Sequence, residues 1–266
     1  MAYYSQDAID DMAAAFASID DRENSLVMRI TQFPFTNPIA KEHATQGYMR
    51  RMRLMAHCTR RIFSTLPPER DEIPIRDGMA DVTSFLHAFV IDTSGCGDNL
   101  AWVWVNERQI KKSDGADLPA TWVGLRPKNM AVLGSMPGNL ATYLREEMAG
   151  WFEYHDDYRD ALAHRISLYI PPYAVPTANE AVYRRLEQLS FAATMAGQYD
   201  EADRLDAEQK ALCRFEPLFL HSYREPALPP LVLHPQILAD FATMEELGHR
   251  VLDALEQAAA ATPAGQ

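Results

Sequence analysis

Apolar residues recur every three or four positions over most of the chain, and this spacing predicts a succession of amphipathic helices. In the first segment, Ile9, Met12, Phe16 and Ile19 fall on one face of a helix. Alternating strand and helix patterns are missing, so we expect an all-α fold and not an α/β fold. The predicted helices cover residues 5–31, 39–66, 77–91, 100–112, 140–165, 179–215 and 235–260.

Proline and glycine mark the breaks between these helices, because both residues disfavour a helix interior. Residues 93–97 contain two glycines and predict a break, after which Asp98 or Asn99 caps the next helix. Asn99 has a second candidate role, as a polar assistant to a functional histidine. Residues 113–136 predict a long irregular connection of the kind that often forms a lid or a binding loop.

The chain divides most simply near residue 172. With 266 residues, of which 47% are hydrophobic, it can bury a sizeable core. We expect a helical bundle over residues 1–172 and a helical C-terminal extension, residues 173–266, that packs on the bundle as a second unit or as part of one domain. Within the extension, the short extended pieces at 217–223 and 229–235 predict one short β-hairpin.

Composition limits the location and the partners of the protein. A formal net charge of −12 argues against loose binding to nucleic acid or to an anionic membrane, so any contact with RNA must be local. Three widely spaced cysteines, Cys58, Cys96 and Cys213, suit reduced thiols better than a disulfide framework. No apolar stretch is long enough to span a membrane, and the N-terminal residues are acidic. We therefore expect a cytoplasmic protein with no membrane contact.

The densest polar chemistry lies near the end of the predicted helix at 140–165. Arg159 and His164 are five residues apart, about 140° around a helix, so they flank one face. Asp160 and His164 are neighbours at positions i and i+4, so the carboxylate can hold one imidazole nitrogen. This combination suits a phosphate ester, because Arg binds phosphoryl oxygens and His moves a proton near neutral pH.

The predicted helix at 39–66 carries a second candidate surface. Arg50, Arg53 and Arg60 recur on one face of this helix and form the most basic surface of an acidic chain. Two interpretations stay open. The face is either solvated and paired with acidic residues such as those beside Arg159, or it follows the phosphates of a nucleic acid.

The pattern Arg159-Asp160-x-x-x-His164, late in a helix of an all-helical protein, resembles the signature of the HEPN superfamily. That signature is an Arg followed after four to six residues by a His, often with Asn, Asp or His next to the Arg. The resemblance implies a helical bundle that pairs as a homodimer and brings two copies of the motif to one cleft. It also implies a metal-independent endoribonuclease that needs no cofactor.

The resemblance implies a mechanism in which the ribose 2′-OH attacks the adjacent phosphorus and leaves a 2′,3′-cyclic phosphate. His164 would be the general acid or base, Arg159 would stabilise charge on the phosphoryl oxygens, and Asp160 would orient His164. The expected partners are RNA, a second copy of the chain, and a protein partner such as an antitoxin. The expected substrate-binding residues are Tyr158, Arg50, Arg53 and Arg60.

A non-catalytic function stays open as the alternative. Asp156, Asp157 and Asp160 would repel a phosphate unless nearby cations neutralise them. The resemblance also allows for an interaction, dimerisation or nucleotide-sensing protein without nuclease activity. Other chemistries have less support: Glu246 and His249 have metal-ligand spacing, but no second such motif accompanies them. No metal site is expected, and no phosphate-binding glycine loop or hydrolase nucleophile motif occurs in the sequence.

Overall fold

The computed structural model describes residues 3–222 and 229–260. Two π-helical segments, π1 (His43–Tyr48) and π2 (Tyr143–Glu147), each connect a short helix to a longer one, and the short strands β1 (Leu218–Phe219) and β2 (Leu231–Val232) pair antiparallel. The α-helices are α1 (Gln6–Ala17), α2 (Ile19–Gln32), α3 (Pro38–Glu42), α4 (Met49–Thr65), α5 (Arg76–Glu107), α6 (Met130–Leu133), α7 (Gly138–Thr142), α8 (Ala149–His164), α9 (Glu180–Met195), α10 (Tyr199–Ala211) and α11 (Leu233–Ala260).

Three long helices form the centre of the bundle. The longest, α5, packs against both α4 and α11, and these two helices also contact each other. Met52 of α4, Phe89 of α5 and Phe241 of α11 are almost completely buried in the shared core. Burial of each such side chain contributes roughly 1.5–3 kcal/mol, so packing between these helices dominates the stability of the fold. On the outside, α2 covers α4 and α11, while α8 packs on α5.

The predicted all-α bundle with one short β-hairpin is confirmed. In the hairpin, Leu218 lies opposite Val232 and Phe219 lies opposite Leu231. Residue 223, which ends the first predicted extended piece, lies outside the described residues. Across residues 3–222 and 229–260, no helix combines the length and the apolar character that crossing a membrane requires.

The predicted helix break at residues 93–97 is wrong, because α5 runs through this segment without interruption. Gly95 serves close packing instead, since a Cβ at this position would collide with the guanidinium of Arg51 on α4. Burial of the surrounding residues offsets the weak helix propensity of glycine, about 1 kcal/mol per residue. Asp98 and Asn99 therefore lie inside a helix and cap nothing.

Other predicted helices are present but subdivided. Ser18 separates α1 from α2 within the first predicted helix. The predicted helix at 39–66 comprises α3, π1 and α4, and the one at 140–165 comprises α7, π2 and α8. A π-helical turn inserts one extra residue without ending the helix, and the apolar spacing alone does not reveal it. The connection at 113–136 contains a 3₁₀ turn (Ala120–Trp122) and α6.

The C-terminal part of the chain has two different environments. Helices α9 and α10 form a hairpin with a separate small cluster of buried residues, Ala193, Ala202 and Leu205. By contrast, Phe219 of the β-hairpin and most of the buried residues of α11 belong to the main core. The boundary at residue 172 stays a prediction, and the main core extends across it.

The close contact between π1 and α11 generates a stability prediction. Tyr48 of π1 is fully buried and donates its hydroxyl proton to the Met244 carbonyl at 2.7 Å, and a Cβ at Gly248 would collide with the same phenol ring. We expect Gly248→Ala to destabilise the protein by about 2 kcal/mol or more, because the core is overpacked. Urea unfolding followed by circular dichroism measures the change.

Gly97→Ala is the matched control, because Gly97 lies inside α5 and a Cβ there meets no atom within 4 Å. This substitution is expected to stabilise the protein by about 0.5–1 kcal/mol through better helix propensity. Equal effects of the two substitutions would show that the contact between Tyr48 and Gly248 does not limit the packing of the core.

Candidate functional site

Helix α8 positions the Arg/His motif at its C-terminal end. The helix packs through Phe152, Tyr158 and Ala161, and it ends at His164. The chain then leaves along the bundle, where the Leu168 carbonyl accepts a hydrogen bond of 2.7 Å from His87 Nε2 on α5. The end of α8 is therefore fixed on both sides, by its buried face and by the segment that follows.

Two of the three aspartates near Arg159 are paired with cations other than Arg159. Arg126 donates two hydrogen bonds to the Asp156 carboxylate, at 2.6 and 2.5 Å, and its guanidinium also lies 3.6 Å from Asp98 on α5. Asp157 accepts hydrogen bonds from Arg165 at 2.5 Å and from His221 at 2.9 Å. Burial opposes ionisation of Asp157, but these hydrogen bonds outweigh it, so the pKa of the carboxyl lies below its usual value.

The predicted catalytic residues lie near the end of α8, where Asp160 and His164 are exposed and Arg159 is partly buried. Arg159 donates to Asp160 Oδ1 at 2.6 Å, and its side chain is 39% exposed. His164 is exposed, and within the described residues it forms no hydrogen bond or ion pair. The structure therefore brings Asp160 to Arg159, while the expected contact between Asp160 and His164 is not formed in the described residues.

Tyr158 lies in the core. Only 2% of its surface is exposed, its ring packs against Phe219 and His221, and its hydroxyl donates to the Pro229 carbonyl at 3.0 Å. A side chain in this position joins α8 to the β-hairpin and has no surface for a substrate. We therefore assign Tyr158 a packing role and leave it out of the proposed site.

The arginines of α4 find their partners on α2 and not on α8. Arg60 lies 2.5 Å from Asp20, Arg53 lies 3.4 Å from Glu23, and Arg50 is exposed. Such exposed ion pairs contribute little to stability, typically below about 1 kcal/mol. The expectation that this basic face pairs with the aspartates of α8 is therefore wrong for Arg53 and Arg60. Its expected role in following phosphates stays a prediction.

A second polar cluster, which the sequence analysis did not predict, lies between α4, α5 and π1. Arg51 donates from Nη1 to Asp92 at 2.8 Å and from Nε to the Asn99 side-chain oxygen at 3.1 Å. The Asn99 amide nitrogen lies 3.2 Å from Nδ1 of His43, whose ring stacks on Trp102. We call His43, Arg51, Asp92 and Asn99 the α5 cluster. From the sequence, one feature pointed towards this cluster, namely the candidate role of Asn99 as a polar assistant to a histidine.

A third polar group is buried where α8 meets α11. Asp240 accepts hydrogen bonds from Trp151 at 2.8 Å and from Gln236 at 2.9 Å, and its surroundings raise the pKa of its carboxyl to about 6 because burial disfavours the charge. The Trp151 ring stacks on His155, whose Nε2 has no partner in the described residues. Burial lowers the pKa of His155 to about 4, so this ring is neutral at pH 7.

No family model, curated protein or solved structure matches the chain. In the part of the chain that the structure describes, no group of three or more His, Cys, Asp or Glu side chains is arranged to hold a metal ion. Among the described residues, the α5 cluster and the end of α8 each hold an arginine and a histidine that solvent can reach.

The raised pKa of Asp240 generates a prediction about pH. The unfolded chain releases this proton near pH 4 and the folded chain near pH 6, so ionisation costs stability as the pH rises through that window. We expect Asp240→Asn to gain stability relative to wild type between pH 4 and 7, by up to about 3 kcal/mol. Asparagine keeps the Oδ1 atom that accepts both hydrogen bonds.

The measurement is the free energy of unfolding of both proteins at several pH values. The difference between them isolates Asp240 from the histidines, because any packing cost of asparagine is the same at every pH. A difference that stays constant from pH 4 to 7 would contradict the raised pKa.

Proposed function

We propose that this protein is a HEPN-like endoribonuclease that cleaves RNA without a metal ion, with Arg159 and His164 as the catalytic pair. The observation that supports this proposal most is that His164 is exposed and Arg159 is partly exposed at the end of α8, while Asp156 and Asp157 are bound by Arg126 and Arg165. Because arginines compensate the charge of these two carboxylates, they repel a phosphate less than the sequence alone suggests.

Charge neutralisation answers the main objection to RNA as a substrate. Arg126, Arg159 and Arg165 each contact one of the aspartates at positions 156, 157 and 160, so these three carboxylates are compensated despite the net charge of −12 of the chain. The remaining anion, Asp160, is an exposed partner of Arg159. An exposed ion pair is weak, so a phosphodiester competes with Asp160 for the guanidinium.

In the proposed reaction, Arg159 binds the phosphoryl oxygens and stabilises the charge that develops on them. The ribose 2′-OH attacks phosphorus, the bond to the 5′ oxygen breaks, and a 2′,3′-cyclic phosphate remains. The 2′-OH loses a proton and the departing 5′ oxygen gains one, and His164 transfers one of these two protons as general base or general acid. When phosphate replaces Asp160 on Arg159, the carboxylate is free to hold His164 one helical turn away. In a homodimer, two such pairs line one cleft.

The first functional prediction concerns the catalytic pair. We expect Arg159→Ala and His164→Ala each to reduce cleavage of mixed RNA in EDTA by about 100-fold or more, because each removes charge stabilisation or proton transfer. His164 is exposed and Arg159 pairs with the neighbouring exposed Asp160, so the melting temperature should change little. Cleavage rates from gel electrophoresis, measured beside thermal unfolding, test both statements.

Arg204→Ala is the matched control, because Arg204 is an exposed arginine on α10 that pairs only with Glu201 and Glu208 of its own helix in the described structure. Its rate should equal that of wild type. Equal rates for wild type and both α8 variants would refute the assignment of the catalytic pair.

The alternative is a non-catalytic HEPN-like protein that acts by binding a second copy of the chain. The α9–α10 hairpin supports this alternative, because Phe191 and Met195 are 68% and 72% exposed beside a very small buried cluster. Both helices of the hairpin also carry charged side chains that have no ion-pair partner in the described residues: Arg184 and Arg185 lie on α9, and Asp200 and Asp203 lie on α10.

The alternative predicts a dimer that depends on α9. Phe191→Glu combined with Met195→Glu should convert a dimer into a monomer, because two charges would be buried at the interface. Light scattering coupled to size-exclusion chromatography measures the mass. Met28→Glu is the control, since Met28 is an exposed apolar residue on α2. A monomeric wild type, or a dimer that survives the double substitution, would contradict a hairpin-mediated dimer.

A further inference from the structure

Three features that weaken a regular α-helix lie at the α5 cluster. The π1 segment interrupts the helix that contains His43. Gly47 within π1 has no Cβ, and a Cβ there would collide with the Asn99 side chain. Likewise, a Cβ at Gly95 within α5 would collide with the guanidinium of Arg51. Glycines and π-turns weaken a helix, and local departures of this kind concentrate at functional sites.

The hydrogen bonds of the cluster fix the direction of every donor. Arginine can only donate, so the Asn99 atom that faces Arg51 Nε is the side-chain oxygen. The amide nitrogen of Asn99 therefore faces His43 and donates to Nδ1. Because Nδ1 accepts, the neutral His43 ring carries its proton on Nε2. Burial lowers the pKa of His43, which favours this neutral form at pH 7.

Two donors of the cluster remain available to a ligand. In the described residues, neither Nη2 of Arg51 nor Nε2 of His43 has a hydrogen-bond partner. The Arg51 side chain is 36% exposed, and His43 is half-buried, so both can be reached from solvent. Asp92, by contrast, is buried behind Arg51 and compensates its charge. The accessible atoms are thus donors, and the acceptor groups are already bound.

We propose that Arg51 and His43 form an oxyanion-binding site, fitted to the phosphoryl group of a ligand and held in place by Asn99 and Asp92. A phosphoryl group offers several acceptor oxygens, which match an arginine and an imidazole donor better than a neutral ligand does. Trp102 supports His43 from the side, because the two rings stack.

The site differs from the proposed catalytic pair and does not depend on it. Arg159 and His164 lie at the end of α8, whereas this site is built from α4, α5 and π1. A protein with Arg159→Ala should therefore bind phosphate at the α5 cluster as wild type does. Loss of RNA cleavage and loss of phosphate binding can thus be observed separately.

The test is a titration of the full chain with inorganic phosphate at constant ionic strength, followed by the ¹H–¹⁵N signals of the His43 imidazole and by calorimetry. We expect a saturable shift of the Nε2 signal. Arg51→Lys should weaken binding about tenfold, because lysine cannot hold Asn99, Asp92 and the ligand together. Arg61→Lys is the control, because Arg61 is an exposed arginine on the same helix, and it should bind as wild type does.

His43→Phe provides a second variant that keeps the ring stack on Trp102 and removes the donor. Calorimetry should show the same loss for it as for Arg51→Lys, and it decides the test if Arg51→Lys does not fold. A linear response to phosphate in wild type, or equal binding by wild type and His43→Phe, would overturn the proposal. Acetate that binds as tightly as phosphate would overturn the assignment to a phosphoryl group.

Discussion

The packing of α5 against α4 and α11 is the constraint on which the rest of the structure depends. Regular helices alone do not explain how closely these elements approach. Tyr48 lies against Gly248 of α11, and Arg51 lies flat over Gly95 of α5. Each contact needs a helix without a side chain at one position. At the centre of the bundle, burial and the hydrogen bonds of one ordered polar cluster thus offset the weak helix propensity of these glycines.

The same packing separates polar groups with a structural role from polar groups that a ligand can reach. Asp240 and His155 are buried between α8 and α11, where the pKa values shift towards the neutral forms. Arg126 uses its guanidinium to attach Asp156 of α8 to Asp98 of α5. The end of α8 and the open edge of the α5 cluster stay accessible to solvent. Both present an arginine and a histidine, the combination that suits phosphate chemistry.

Much of the fold follows from the spacing of apolar residues, because that spacing reports which helix faces are buried. It predicted the positions of α4, α8 and α11 and the short hairpin near Phe219. It failed at residues 93–97, where Gly95 allows a close approach between helices, Gly97 faces open space, and neither glycine ends the helix. No local pattern distinguishes these two uses of glycine, since the partner, Arg51, is distant in the sequence.

The candidate sites were less predictable than the fold. Spacing along one helix identified Arg159, Asp160 and His164, which are neighbours in sequence. It could not reveal that Asp160 contacts Arg159, or that Tyr158 is enclosed by the β-hairpin. The α5 cluster joins His43, Arg51 and Asn99 from three segments, so only the tertiary structure brings it together. Long-range contacts of this kind determine which polar residues face solvent.

The most direct test of the proposed nuclease function is the chemistry of the RNA ends after incubation with purified protein in EDTA, determined by mass spectrometry. Attack by the 2′-OH leaves 2′,3′-cyclic phosphate ends, and we predict these ends for wild type and not for His164→Ala. Intact RNA after incubation with wild type, or the same cyclic ends with His164→Ala, would contradict the assignment of His164 to metal-independent RNA cleavage.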